Sequence, residues 1–188
     1  MTAGQVYRKF TVKGRNVVLR VMRQDDLEKL LAFINGLVDE KKKDRVSELF
    51  TGFEHKVARD EEANWLASQI VQLENGEIVN VVAEVDGRIV ANGVITRGHY
   101  SETRHHGELG LTVMAAYRGM GIGGGMVKIL LREAKRRGLK SVKVEFLSTN
   151  HGAVHTYQKA GFREVGRIPG KVHRKGKLLD SLIMARRI

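Results

Sequence analysis

Apolar positions change period along the chain, and the changes mark out its elements. Val6, Arg8, Phe10 and Val12 share one side of an alternating run. Residues 13–16, Lys-Gly-Arg-Asn, read as a turn and residues 17–21 as the returning strand. After Asp25 or Asp26, either able to cap a helix, Leu27, Leu30, Leu31, Ile34 and Val38 recur at helical spacing. A charged stretch over 40–58 precedes a second helix, about 60–74, with Trp65, Leu66, Ile70 and Leu73 inward. Residues 78–85 and 88–96 read as strands joined by Asp86-Gly87, a strong two-residue hairpin signal. A strand over 108–113 leads into a glycine-rich turn. The helix that follows carries Ile122, Met126, Val127, Leu130, Leu131 and Ala134 on one side and stops at Gly138. Residues 142–146 alternate again, Asn150 caps a short helix ending at Gly161, and strands near 162–168 and 178–185 close the pattern. Residues 171–177 read as a basic loop. The prediction is a mixed α/β sheet: antiparallel hairpins first, then a β-α-β unit whose crossover makes its two strands parallel.

At 188 residues this is the size of one domain. The absence of cysteine excludes a disulfide framework, Cys-liganded zinc and a thiol nucleophile. No apolar run approaches the roughly 20 residues that span a bilayer. The first ten residues hold no signal-like apolar segment, so a cytoplasmic protein without membrane attachment is expected. Charge is uneven. Residues 1–94 carry 14 basic and 15 acidic side chains and residues 95–188 carry 19 and 6, so the net +12 lies in the second half. A field of that sign suits an anion: a phosphorylated cofactor, nucleic acid or another acidic macromolecule.

The glycine turn narrows the choice. Arg118-Gly119-Met120-Gly121-Ile122-Gly123-Gly124-Gly125 follows a strand and opens a helix. Each glycine in a helix costs about 1 kcal/mol relative to alanine, so three in its first turn need a reason. Bare N–H groups at a helix N-terminus provide one, because they form a site for pyrophosphate. No Gly-Lys-Ser/Thr follows, which excludes a P-loop. A dinucleotide fingerprint on Gly119, Gly121 and Gly124 fits poorly, since the strand is a late one and no acidic ribose ligand ends a strand about 20 residues on. Glu145 comes nearest but lies inside an alternating strand.

Arg118-Gly119-Met120-Gly121-Ile122-Gly123 resembles the Arg/Gln-x-x-Gly-x-Gly/Ala signature of the GNAT superfamily of acetyl-CoA-dependent N-acetyltransferases. Leu111-Thr112-Val113 is similar to the strand before that signature. Asn150 through Tyr157 to Gly161-Phe162 resembles the segment downstream. The resemblance covers roughly residues 16–188 and implies one GNAT-like domain over 1–188, with 1–15 an extension or an extra strand. It also implies a mixed, centrally splayed sheet of about seven strands flanked by about four helices.

The same resemblance implies the site. Acetyl-CoA would be the co-substrate. Its pyrophosphate would take N–H groups from Arg118, Gly119, Met120, Gly121, Ile122, Gly123 and Gly124. Asn150 would hold the pantetheine arm, and Leu111, Thr112 and Val113 would line it, with N–H near Leu111 or Val113 meeting the developing oxyanion. A primary amine is an ammonium ion at neutral pH and needs a base. Glu108 is the first candidate, with His106 and Glu102 behind it. Tyr157 would serve the departing thiolate, and Lys128, Arg132 and Lys159 are candidates for the phosphates. His99, His105 and His106 lack a completing acid at metal-ligand spacing, so no metal is expected.

The acceptor would lie against 37–53 and 97–106, where Phe50 and Phe53 stand with Glu48 and Glu54. Asp180 to Met184 resembles the close of the ribosomal-protein and amino-acid N-acetyltransferase branches. Three readings stay open: an acetyltransferase for a small or peptide amine, one for protein N-termini or lysines, and a non-catalytic binder of CoA or nucleic acid. A monomer or a homodimer fits each.

Overall fold

The computed structural model describes residues 1–43 and 52–188. Two strands, β1 (Val6–Val12) and β2 (Arg15–Arg20), precede helices α1 (Leu27–Lys43) and α2 (Arg59–Glu74). Strands β3 (Ile78–Val85), β4 (Arg88–Arg97) and β5 (His106–Val113) lead to α3 (Ile122–Arg136). The chain ends with β6 (Ser141–Leu147), α4 (His151–Lys159), β7 (Arg163–Arg174) and β8 (Lys177–Arg187). The strands form one sheet in the order β1-β2-β3-β4-β5-β6-β8-β7.

Among the described residues the strand count is eight rather than about seven, and β1 is one of the eight. The final hairpin also differs from expectation, because residues 171–177 are not a loop. Strands β7 and β8 run almost to each other and turn at Lys175-Gly176, with φ of 49° and 76°. Lys13-Gly14 and Asp86-Gly87 likewise have two positive φ values each, the primed geometry that matches strand twist. The strand expected near 162–168 is the first half of β7, and the run of cations past Pro169 hid the second half. Proline is tolerated there because β7 is an edge strand and its ladder is interrupted between Ile168 and Val172.

Alternation assigns the two faces. Leu30, Phe33 and Leu37 of α1 and Leu66 and Ile70 of α2 pack with Val82 and Ile89 on one face. Met126, Val127 and Leu130 of α3 and Tyr157 of α4 pack with Val81, Ala83, Leu109 and Val144 on the other. Gly93 lets α3 approach, since a Cβ there would stand 2.9 Å from Leu130 Cδ1. Among the described residues no helix is long and apolar enough to cross a membrane.

Among the described residues only β5 and β6 pair in parallel, and only from His106↔Ser141 to Leu109↔Val144. Beyond that point β5 stays with β4 as far as Val113, and β6 stays with β8 as far as Leu147. The two strands therefore part in mid-sheet. A gap between strands leaves backbone N–H and C=O groups without ladder partners, so it is a site rather than a core feature.

A buried ion cluster fixes the start of α1. Arg20 meets Asp26 through two hydrogen bonds of 2.6 and 2.7 Å and Glu84 through Nε at 3.1 Å, with Arg20 4% and Asp26 0% exposed. Removing one member leaves the others charged and dry. Arg20→Met should cost about 3–5 kcal/mol in urea unfolding, and Arg20→Met with Asp26→Leu should recover only part of the loss, because Glu84 is then left with Lys29 at 3.3 Å and Arg23 N–H loses its acceptor.

Candidate active site

The parting strands open into a cleft of about 990 Å³ between β5, the glycine loop, α3, α4 and β6. Its floor follows from strand alternation. Met114 N–H bonds back to Val90 O on β4, whereas Val113 O accepts from Arg118 Nε at 3.0 Å on the other side. Residues two apart point their backbone groups the same way, so Leu111 and Val113 present theirs to the gap and Thr112 to β4.

The loop ends on Gly121, which caps α3 with φ 76° and offers no side-chain cap. The first intrahelical bond is Gly125 N–H to Gly121 O at 3.0 Å, so the N–H groups of Ile122, Gly123 and Gly124 have no partner within the helix. The first turn carries no acidic side chain. A Cβ at Gly119, Gly121 or Gly124 would meet nothing within 4 Å, and all three glycines border the cleft. An anionic ligand can therefore reach the helix N-terminus directly. A pyrophosphate with a narrow arm running between the strands fits both the free N–H groups and the unpaired strand edges.

Most of the residues proposed from sequence border this space: Glu108, Leu111, Thr112, Val113, Arg118, Gly119, Gly121, Ile122, Gly123, Gly124, Asn150 and Tyr157. Met120 does not, because its side chain is in the main core. Lys128 and Lys159 border the cleft, but Arg132 lies elsewhere, held by Glu133 at 3.1 Å and stacked over Tyr7. The Asn150 side-chain oxygen caps α4, accepting Ala153 N–H at 2.9 Å, so its first role is to aim that helix. Glu102 sits in an exposed turn over Ser101–Thr103, away from the cleft. Glu48 and Phe50 lie outside the described residues. Phe53 is exposed, and Lys41 Nζ reaches its carbonyl at 3.0 Å.

Tyr157 is 4% exposed, with Phe146 and Phe162 at ring-centroid distances of 5.3 and 5.5 Å. Burial pushes its phenol well above the ordinary tyrosine value, so the hydroxyl keeps its proton and acts as a donor. The side chain borders the cleft.

The opposite face of β5 and β6 carries a row of charge. Glu108 pairs with Lys143 at 3.1 Å. Next along β6 comes Glu145, which accepts from Ser181 Oγ of β8 and Lys171 Nζ of β7. Burial pushes the Glu145 carboxyl up, but the Lys171 and Ser181 hydrogen bonds and the charges of Lys171 and Lys143 outweigh it and hold it below the usual carboxylate range. His106 shares this face, its Nδ1 2.8 Å from Ser141 Oγ. Burial first, then Lys143, lower its pKa.

Glu145 is not among the bases proposed from the sequence. Alternation with Val144 and Phe146 already set it on the polar face. Register sets it just past the last β5–β6 pair, at the fork, while Glu108 stands one pair short. The assembled groups match acyl transfer: N–H donors for an oxyanion, a protonated phenol, and carboxylates on the face opposite α3 and α4.

Comparison with known proteins agrees. The Acetyltransferase (GNAT) family model matches residues 43–162. YwnH of Bacillus subtilis (strain 168), a candidate phosphinothricin acetyltransferase, is 25% identical over 179 residues, 92% of this chain and 99% of YwnH. The structure of the ribosomal-protein-alanine N-acetyltransferase from Brucella melitensis superposes with a TM-score of 0.75 at 24% identity, covering 90% of this chain and 99% of that one. A phosphinothricin acetyltransferase from Sinorhizobium meliloti, solved with AcCoA, superposes at 0.75 and 18% identity, covering 92% and 88%. With the family model over most of the chain and the splayed strands and open glycine loop in place, the chain belongs to the acetyl-CoA-dependent GNAT acetyltransferases.

Proposed function

We propose that the protein transfers the acetyl group to a primary amine by direct attack, with both substrates bound across the fork between β5 and β6. The observation that carries this is the position of the fork. It joins the free N–H groups of the glycine loop on one side to the Glu108–Lys143–Glu145–Lys171 row on the other. Acetyl-CoA supplies an acetyl group already activated as a thioester.

Each group then has a defined task. The N–H groups of Ile122, Gly123 and Gly124 hold the pyrophosphate. Lys128 and Lys159 add cations along the cleft. The backbone N–H groups of Leu111 and Val113 donate to the carbonyl oxygen as it gains charge, an interaction worth a few kcal/mol in a preorganised site. Glu145, directly or through water, takes the ammonium proton and frees the lone pair. Glu108 is the alternative base, one strand pair away. The Tyr157 hydroxyl hydrogen-bonds the departing sulfur. A phenol with a raised pKa transfers its proton uphill to a thiolate of pKa about 8.5, so stabilisation by the hydrogen bond outweighs full proton transfer.

The acceptor we propose is an amine carrying an anionic arm. Lys143 and Lys171 flank the two carboxylates and would meet such an arm while a carboxylate meets the ammonium. The likeness to YwnH supports an amino-acid-like acceptor such as phosphinothricin.

The test is an amine library scored by free thiol release from acetyl-CoA. Amino acids with acidic arms should exceed simple alkylamines. If no amine or peptide N-terminus accelerates release over background hydrolysis, the reading fails. In the same assay Tyr157→Phe should lower kcat by about tenfold to a hundredfold, with acetyl-CoA affinity changed less than about twofold. A wild-type rate in that variant would remove Tyr157 from the mechanism.

A further inference from the structure

Helix α1 belongs to the face opposite α3, yet it reaches the glycine loop. Gly36 and Glu40 lie one helical turn apart on α1. At Gly36 the helix runs so close to the end of β5 that a Cβ would stand 2.8 Å from Met114 Cε. One turn on, Glu40 Oε2 accepts Ala115 N–H at 2.8 Å, and Oε1 pairs with Arg118 Nη2. Arg118 in turn donates through Nε to Val113 O at 3.0 Å. Glu40 is only 17% exposed.

These contacts bracket the segment that feeds the loop. Ala115 opens a short 3-10 turn, Ala115–Tyr117, which has no side-chain cap from its own preceding residue. Its first N–H would be an orphan without Glu40. Arg118 is the last residue before Gly119 and Gly121, whose positive φ values leave the loop little intrinsic stiffness. The Glu40 carboxylate therefore holds both the start and the end of the turn from which the loop springs. Its ion pair with Arg118 also offsets a negative charge that would otherwise oppose an anion nearby.

We infer that Glu40 is a positioning residue for the cofactor pyrophosphate. It does not line the cleft, but it sets the place of the glycine-loop N–H groups from helix α1 on the other face. The inference rests on reading that loop as the pyrophosphate site.

The experiment compares two ligands on the full chain: acetyl-CoA, and S-acetylpantetheine, which lacks the pyrophosphate. Calorimetry serves the first and ligand-observed NMR the second. Glu40→Ala should weaken acetyl-CoA by about tenfold and S-acetylpantetheine by less than about twofold. Glu40→Gln keeps an oxygen for Ala115 N–H and should fall between wild type and Glu40→Ala, and it carries the test if the alanine variant does not fold. A lower melting temperature with unchanged acetyl-CoA affinity, or equal losses for both ligands, would overturn the inference. Gly121→Glu measured alongside separates the two ideas. If it abolishes acetyl-CoA binding while Glu40→Ala has no effect, only the positioning role falls; if it binds normally, the pyrophosphate reading falls with it.

Discussion

Gly121→Glu should abolish acetyl-CoA binding, a loss of at least about 100-fold in calorimetry. Two effects act together. Gly121 has φ 76°, a conformation that costs a side-chain-bearing residue about 1–2 kcal/mol. The added side chain would also point into open space, where a Cβ meets nothing within 4 Å, and that space is the mouth of the cleft. A carboxylate there would occupy the anion site at the head of α3 and cancel its partial positive charge. Gly121→Ala separates the terms, because it keeps the strain and removes the charge; a loss of about tenfold or less is expected. Melting curves check that both variants fold. Wild-type affinity in Gly121→Glu would place the pyrophosphate elsewhere.

Glu145→Gln should lower turnover by about 10²-fold or more near neutral pH, the scale of a lost general base. Glu108→Gln should cost less than about tenfold, because Glu108 is 55% exposed, tied to Lys143, and one pair short of the fork. The pH dependence gives the sign. Glu145 titrates below the usual carboxylate range, so it stays ionised from mildly acidic pH upward. What changes between neutral and alkaline pH is the amine, an ammonium ion with a pKa near 10. The defect of Glu145→Gln should therefore be greatest well below that value and shrink as pH approaches it, where the amine loses its proton unaided. A ratio of wild-type to variant rates that stays flat with pH would count against Glu145 as base. The opposite order of the two variants would assign the task to Glu108.

The two carboxylates show how far sequence reading reached. Both sit in alternating strands, so the side of the sheet each faces was legible from period two alone. Their distances from the fork were not, because these depend on where β5 and β6 stop pairing, and that register joins residues 35 apart in the chain. Arg132 failed for a related reason. On α3 it reads like Lys128, one turn earlier, but β1 brings Tyr7 against it and turns it from the cleft. The final hairpin was expected too short because the clustered cations of 171–177 describe a loop by composition, and the edge position of β7 is what makes a strand through Pro169 tolerable.

By itself the sequence determined the order and type of nearly all the elements, the glycine turn as a candidate anion site, the position of Tyr157 and the family resemblance. Each is a local property, written in spacing, caps and turn residues within a few positions of one another. Tertiary structure decided the fork between β5 and β6, the placing of Glu145 beside it, and the reach of Glu40 from α1 to the loop it steadies. Those depend on strand register and on close approach between elements far apart in the chain. Such contacts arise when a shared core is packed, and no local pattern encodes them.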